Sequence, residues 1–288
     1  MDVNQDGRVD VLSGSYSRKQ EGMAGLFHYA PRTESGAFDA PIVVNGADGN
    51  PLILTVDAKA DDKDIQRICT RPTLVDLNGD GKLDLVSGNF GGTFSWFLGL
   101  GDGKFEATSK PLPAEGECAV AHHSDPWFFD WDGDGDLDLI SGAANGGVFL
   151  LRNSGTKTAP KFAASTQVIA PIADPYAEPD AFGDAHLKGP QGSTRVYVDD
   201  VDGDGKLDLL VGDCVAVMQL PNGVDEKQAL AKHAAWKKKQ REFMANTGNL
   251  DSEEAQEKWR KGYEALDAER EQFAKLIRTG FVWLFRGK

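Results

Sequence analysis

Asp130-Trp131-Asp132-Gly133-Asp134-Gly135-Asp136-Leu137-Asp138, followed at once by Leu139-Ile140-Ser141-Gly142, is the stretch on which the fold of this chain turns. Its first nine residues follow Asp-x-Asn/Asp-x-Asp-Gly-x-x-Asp, and the same nonapeptide starts again at Asp2, Asp76 and Asp200. Oxygens at positions one, three and five can converge on one hard cation, while the carbonyl of position seven and the carboxylate of position nine close the shell. Position six is always glycine (Gly7, Gly81, Gly135, Gly205), where the chain must reverse at a backbone angle that side chains resist. A flexible cage of many protein oxygens suits calcium better than magnesium. Asp/Gly-rich segments are also good turns, but turn formation alone does not produce four copies in register with the same sequel.

The sequel excludes an EF-hand. That motif needs a bidentate Glu at position twelve, where this chain has Ser13, Ser87, Ser141 and Val211. Residues 9–14, 83–88, 137–142 and 207–212 alternate apolar and polar side chains, so each loop runs into a strand, with Leu83 and Leu85 on one face and Asp84 turned back toward the ion. The copies are 74, 54 and 70 residues apart, a period that suits propeller blades or solenoid units. Each repeat reads as four strands. In the second these are 72–75, 83–87, 93–98 and 105–108; in the third, 127–129, 137–141, 148–151 and 162–169. Four-stranded units in series make an all-β propeller with Asp-rich calcium loops.

Two features depart from this plan. The first blade has no inner strand before its loop and the last stops at 281–286 without an outer one, so residues 1–288 are expected to be a propeller of four recognisable blades within a longer chain. Residues 225–279 leave the strand pattern for an inserted α-helical hairpin in the last blade, with helices expected at 225–245 and 252–278. Trp259, Leu266 and Phe273 recur every seven residues, with Tyr263 and Ile277 on the adjoining ridge. Either the hairpin zips on itself and lies against the propeller, or it is a partner-docking arm anchored by Trp236, Phe243 or Trp259.

The run of 130–142 with Gly146-Gly147-Val148-Phe149-Leu150-Leu151-Arg152-Asn153 resembles the FG-GAP/VCBS-type propeller repeat found in integrin α-subunit heads and in secreted bacterial proteins. The style of the repeats is similar to that of secreted propellers of planctomycete-like bacteria. The resemblance covers about 1–222 and 280–287 and implies the fold, calcium and an extracytoplasmic setting, without a single activity.

The expected ligand sets are Asp2, Asn4, Asp6 and Asp10 with the Arg8 carbonyl; Asp76, Asn78, Asp80 and Asp84 with that of Lys82; Asp130, Asp132, Asp134 and Asp138 with that of Asp136; and Asp200, Asp202, Asp204 and Asp208 with that of Lys206. Up to four Ca²⁺ are expected. Fourteen of these ligands are Asp side chains, so filling the loops would take the formal net charge from −14 to about −6. No basic stripe offsets the acidity, which argues against nucleic acid. No apolar run is long enough for a membrane span, and no leader pattern precedes the first loop, so a secretion signal is expected upstream. Weak loops of this kind fill at millimolar calcium, which points to a secreted, periplasmic or cell-surface protein. Three cysteines (Cys69, Cys118, Cys214) allow one pair and a thiol, or three thiols.

Loops joining second to third strands, and blade to blade, emerge opposite the calcium loops. They gather segments 16–23, 64–71, 89–92, 117–125, 143–147 and 186–195 into the expected ligand face, with Arg67, Arg71, His122, His123, His186 and Arg195 as its candidate residues. Arg71 and Arg195 both stand five residues before their loops and suit an acidic sugar or carboxylate. His122, His123 and Asp125 could hold a metal or serve acid/base chemistry, but adjacent histidines on an extended segment point apart. No nucleophile elbow, zinc-binding helix or phosphate loop is present. The leading expectation is a binding or adhesion module for a glycan or protein. The alternatives are a carbohydrate-active enzyme such as a polysaccharide lyase, and a structural subunit of a cell-envelope assembly.

Overall fold

The computed structural model describes residues 2–16, 26–55, 67–116, 118–174 and 177–287. They form a β-propeller of four blades with two helices. The first blade has three strands, β1 (Val11–Ser13), β2 (His28–Ala30) and β3 (Ile42–Val43), in that order. The second has β4 (Arg71–Val75), β5 (Asp84–Gly88) and β6 (Phe94–Phe97), then a separate ribbon of β7 (Gly99–Gly101) and β8 (Lys104–Phe105), and last the outer strand β9 (Lys110–Pro111). The third is a meander of β10 (Asp125–Phe129), β11 (Asp138–Gly142), β12 (Val148–Leu151) and β13 (Thr166–Ile169). The fourth contains β14 (Gly192–Asp199) and the first half of β15 (Asp208–Gln219).

The outer strand of the third blade is shorter than the sequence reading has it, Thr166–Ile169 rather than 162–169, and two stretches depart from that reading more fully. Residues 105–108 are not the outer strand of the second blade. Asp102 and Gly103 both adopt positive φ (52° and 67°), so the chain folds back there, Lys104–Phe105 pairs with Gly99–Gly101, and the blade closes later at Lys110–Pro111. The second departure is in the insertion. After α1 (Glu226–Ala245) comes α2 (Glu253–Glu271), which stops short of 278, because β16 (Lys275–Thr279) pairs with Val215–Gln219 of β15. The final strand, β17 (Val282–Phe285), pairs with Leu209–Gly212 of β15.

The chain divides into two compact units. One comprises Met1–Pro175, Pro190–Asp213 and Val282–Lys288, and the other Tyr176–Gly189 and Cys214–Phe281. In the first, β5 and β11 are buried along their whole length, as strands sandwiched between neighbouring blades must be. Successive residues face opposite neighbours. Leu85 joins Phe27, Leu52, Leu54, Phe97 and Phe105, whereas Val86 joins Phe94, Leu139, Leu151 and Phe162. Leu139 faces back to that second cluster and Ile140 forward to Val148, Val196 and Val211.

One joint recurs between blades. Gly14 follows β1, and Gly88 and Gly142 end β5 and β11; a Cβ on any of them would come within 2.0, 2.2 and 2.2 Å of the carbonyl oxygens of Thr70, Ser124 and Thr194. Those three hydroxyl residues accept the backbone N–H of Ser15 (2.7 Å), Asn89 (2.9 Å) and Ala143 (2.9 Å). Their own N–H groups donate to the carbonyls of the same three partners, at 3.0, 3.1 and 3.1 Å. Only a residue without a side chain lets the backbones approach this closely. The serine before the glycine works inside the blade. Ser87 and Ser141 Oγ accept the N–H of Arg71 (3.1 Å) and Asp125 (2.9 Å) and donate to the next carbonyl, so the residues standing where an EF-hand has its Glu are strand ties.

The second unit has its own core of Met218, Ala229, Trp236, Phe273 and Ala274. Asp225 and Ser252 cap α1 and α2 through the N–H groups of Gln228 and Ala255. The aromatics proposed as docking anchors are used internally. Trp236 is 1 % exposed and its indole donates to the Leu266 carbonyl (2.7 Å), while Phe243 and Trp259 pack together with ring centroids 6.2 Å apart. Arg270 is buried over the Trp236 ring and ion-paired with Glu178 (3.3 Å) and Asp267 (2.7 Å).

Candidate metal centre

Each Asp-rich loop is built by its own backbone. The position-one carboxylate gathers successive N–H groups: Asp2 those of Asp6 and Gly7, Asp76 those of Asp80 and Gly81, and Asp130 and Asp200 each three (Gly133, Asp134, Gly135; Gly203, Asp204, Gly205). The position-five carboxylates of Asp6, Asp80, Asp134 and Asp204 accept the N–H of Arg8, Lys82, Asp136 and Lys206 at 2.9–3.0 Å. Position six needs glycine for its conformation alone. Gly7, Gly81, Gly135 and Gly205 have φ of +83° to +91°, and nothing lies within 4 Å of where a Cβ would be.

Position nine has a function that its sequence did not announce. Asp10, Asp84, Asp138 and Asp208 are buried, and each carboxylate clamps two strands. One oxygen accepts the N–H of position two (Val3, Leu77, Trp131, Val201) at 2.9–3.2 Å. The other accepts an N–H beside the third strand, from Arg32, Gly99, Asn153 or Gly287, at 2.6–2.9 Å. Burial still pushes the Asp84 and Asp138 carboxyls above the ordinary carboxylate range, although these N–H bonds pull the other way.

The third and fourth loops bring carboxylates together. Oxygens of Asp130, Asp132 and Asp134 lie within 4.8 Å of one another, as do those of Asp200, Asp202 and Asp208. In the third loop Asp136 adds a fifth carboxyl. It is 9 % exposed, its Oδ1 is buried without a hydrogen-bond partner, and burial together with the charges of Asp134, Asp138 and Asp132 raises its pKa. Hard oxygens crowded in this way, with the buried and unpartnered Asp136 Oδ1 in the same loop, fit a divalent cation such as calcium. A bound cation would neutralise the carboxylates and tie the loop to the strands that bear them.

Position three differs among the loops in step with a residue on the third strand. Where it is Asp, an arginine follows that strand. Arg152 pairs with Asp132, and Arg286 with Asp202 (2.8 Å). Where it is Asn, as at Asn4 and Asn78, the corresponding residues are Pro31 and Leu98. The arginine partly cancels the extra carboxylate. Arg152→Gln is therefore expected to tighten calcium binding to the third loop about threefold to tenfold, the worth of one exposed charge at contact distance. Calcium titration of the two proteins checks this, and equal affinities would show that Arg152 exerts no electrostatic control.

At the opposite end of the blades, where the inner strands begin, three equivalent positions meet. Arg71, Asp125 and Arg195 each stand five residues before their loops. Asp125 belongs to this ring, which the sequence reading confined to the two arginines. Arg195 Nε lies 3.7 Å from the Asp125 carboxylate, and its Nη1 donates to the carbonyls of Ser193 and Thr194. Burial raises the Asp125 pKa, while Arg195 and Arg71 pull it down. His123 is pushed down to about 4 by burial and by Arg195, Arg71 and His122, and so stays neutral near pH 7. His122 and His123 are not extended. Both have positive φ (24° and 58°), and both rings pack against Phe90, with centroids 5.4 and 4.6 Å away. Arg67 Nε is buried without a partner among the described residues. His186 is exposed and belongs to the second unit. Residues 17–23, 64–66 and 117 of the expected ligand face lie outside the described residues. Cys69 is buried, Cys214 exposed, and burial raises the Cys118 thiol to about 11.

Among the described residues no helix is long and apolar enough to cross a membrane. No curated protein matches the chain. Residues 76–141 and 130–211 match the family model of the FG-GAP-like repeat, each match running from one Asp-rich loop to the strand after the next. The second, third and fourth blades of this propeller thus carry the FG-GAP-like repeat pattern.

Proposed function

We propose that the protein is a non-enzymatic, extracytoplasmic binding module in which calcium holds the blade corners rigid while the opposite face engages a glycan or protein. The observation that carries this reading is the separation of two polar constellations on one propeller. The Asp-rich loops are wired into the strands that they join, which is a structural use. The Arg71/Asp125/Arg195 ring gathers charges from three blades at the other end, where loops can vary without disturbing the blades. The holding groups are the four Asp-rich sets, with the third and fourth loops best converged. Loops that fill at millimolar calcium suit an extracytoplasmic setting.

Binding to a panel of immobilised glycans and surface proteins, with calcium and with chelator, tests the reading. Calcium-dependent retention of a ligand that is returned unchanged is expected. Cleavage of a polysaccharide into unsaturated fragments would contradict it and make the protein a lyase.

A further inference from the structure

We propose that the cavity where the inner strands begin holds a single uronic-acid unit of an acidic glycan, with Arg71 as the carboxylate receptor. This rests on the binding-module reading and gives its ligand a chemistry. The cavity has a volume of about 330 Å³, within the range of small-molecule sites, and is lined by Leu12, Ser13, Tyr16, Thr70, Arg71 and Asp125 among others.

The argument begins with which side chains have bonds left to make. Arg195 spends its guanidinium on Asp125 and on two carbonyls. Thr70 Oγ1 is engaged with both the N–H and the carbonyl of Ser15. Arg71 uses only its backbone N–H, on Ser87. Among the described residues no hydrogen bond or ion pair reaches its guanidinium, and its Nε is buried. Its Nε is closed to water, so a ligand oxygen would meet the Nη groups at the end of the guanidinium. The planar fork of a guanidinium matches a carboxylate in two parallel bonds.

Asp125 narrows the choice of anion. Its carboxylate lines the same cavity, so a dianion such as a phosphate monoester would be repelled more than a monoanion. The oxygens of Asp125 left over from Arg195 are acceptors, and they call for hydroxyl donors on the ligand. Ser13 Oγ donates to the Gly14 carbonyl and keeps its lone pairs for another hydroxyl. Tyr16 is 73 % exposed at the rim, an aromatic face against which the apolar C–H side of a sugar ring can lie. One carboxylate, several hydroxyls and an apolar ring face together describe a sugar acid. Arg71 and Arg195 outnumber the single Asp125 carboxylate here in a chain of net charge −14, so this end attracts a polyanion that the rest of the surface repels.

Titration calorimetry on the calcium-loaded protein tests the assignment, with galacturonate, galactose, a polygalacturonate and an aspartate-containing tripeptide as probes. Galacturonate is expected to bind at least tenfold more tightly than galactose, because galactose lacks the charged pair. Arg71→Gln should remove that advantage while leaving galactose binding unchanged. Arg71→Lys, which keeps the charge but loses the fork, should retain part of it and serves if the Gln variant fails to fold. Polygalacturonate binding more tightly per chain than the monomer would identify a polymer as the source; monomer-only binding would identify the free sugar acid, and both uphold the carboxylate site. Equal affinities for galacturonate and galactose, no effect of either Arg71 variant, or a tripeptide that binds more tightly than galacturonate would overturn it. A protein that calcium stabilises but that ignores galacturonate refutes this inference alone, whereas one indifferent to calcium refutes the reading beneath it.

Discussion

Asp138→Ala is expected to destabilise the protein by about 4 kcal/mol, and to do so in chelator as well as in calcium. The wild-type carboxylate is 2 % exposed and receives the N–H groups of Trp131 (3.1 Å) and Asn153 (2.7 Å) from either side of its strand. Truncation strands both donors in a space that water cannot easily reach, at about 1–3 kcal/mol each. Asp138→Asn keeps one acceptor oxygen but turns an N–H₂ toward a donor, so an intermediate loss is expected. Urea denaturation in chelator separates the clamp from any metal contribution. A variant as stable as wild type under those conditions would mean that position nine serves the ion alone.

Gly142→Ala is expected to cost about 3 kcal/mol through a single methyl group. The added Cβ would lie 2.2 Å from the Thr194 carbonyl oxygen. Thr194 cannot easily withdraw, because its N–H donates to Ala143 (3.1 Å), its hydroxyl donates to Gly147 (2.7 Å), and the Ala143 N–H donates to that hydroxyl. Something in a packed joint must therefore shift, and overpacking of this kind costs about 1–3 kcal/mol or more. Gly248→Ala, at a site with nothing within 4 Å of the new atom, is the control and should cost little. Equal denaturation midpoints for the two variants would show that the blade joint is not close-packed.

How much of this was legible depends on the range over which each signal acts. The loops and the strands after them were read correctly because the pattern is local and repeats: Leu139 and Ile140 alternate within one strand, and the same alternation recurs at Leu85 and Val86. The blade joints were not legible. Thr70, Ser124 and Thr194 are unremarkable hydroxyl residues, and their meaning lies in a glycine 56, 36 or 52 positions earlier in the chain. Asp125 was singled out only beside His122 and His123, because its opposite charge masks the five-residue offset that it shares with Arg71 and Arg195.

The two misplaced elements show tertiary context overriding local preference. The heptad of Trp259, Leu266 and Phe273 suggested a helix continuing to 278, but Leu276 and Ile277 find Met218 and Val217 opposite them, and pairing with a waiting strand outweighs one more helical turn. Phe105 looked like the start of an outer strand. It is instead a fully packed residue of the cluster between the first two blades, placed there by the reversal at Asp102 and Gly103. The clamping role of position nine was hidden by its resemblance to a ligand. Its partners Asn153, Gly99 and Gly287 stand fifteen, fifteen and seventy-nine residues away, and nothing in one sequence links them.

The central claim is that the Asp-rich loops are calcium sites that stabilise the propeller, and calorimetric melting with millimolar calcium against excess chelator tests it most directly. Two loops filled at about a hundredfold excess over Kd would add about 5 kcal/mol, which raises Tm by about 8 °C in a protein of this size. The gain should shrink by about half in a variant carrying Asp132→Ala and Asp134→Ala, which removes two of the three converging carboxylates of the third loop. The same Tm in calcium and in chelator, with no calcium retained after dialysis, would contradict the account.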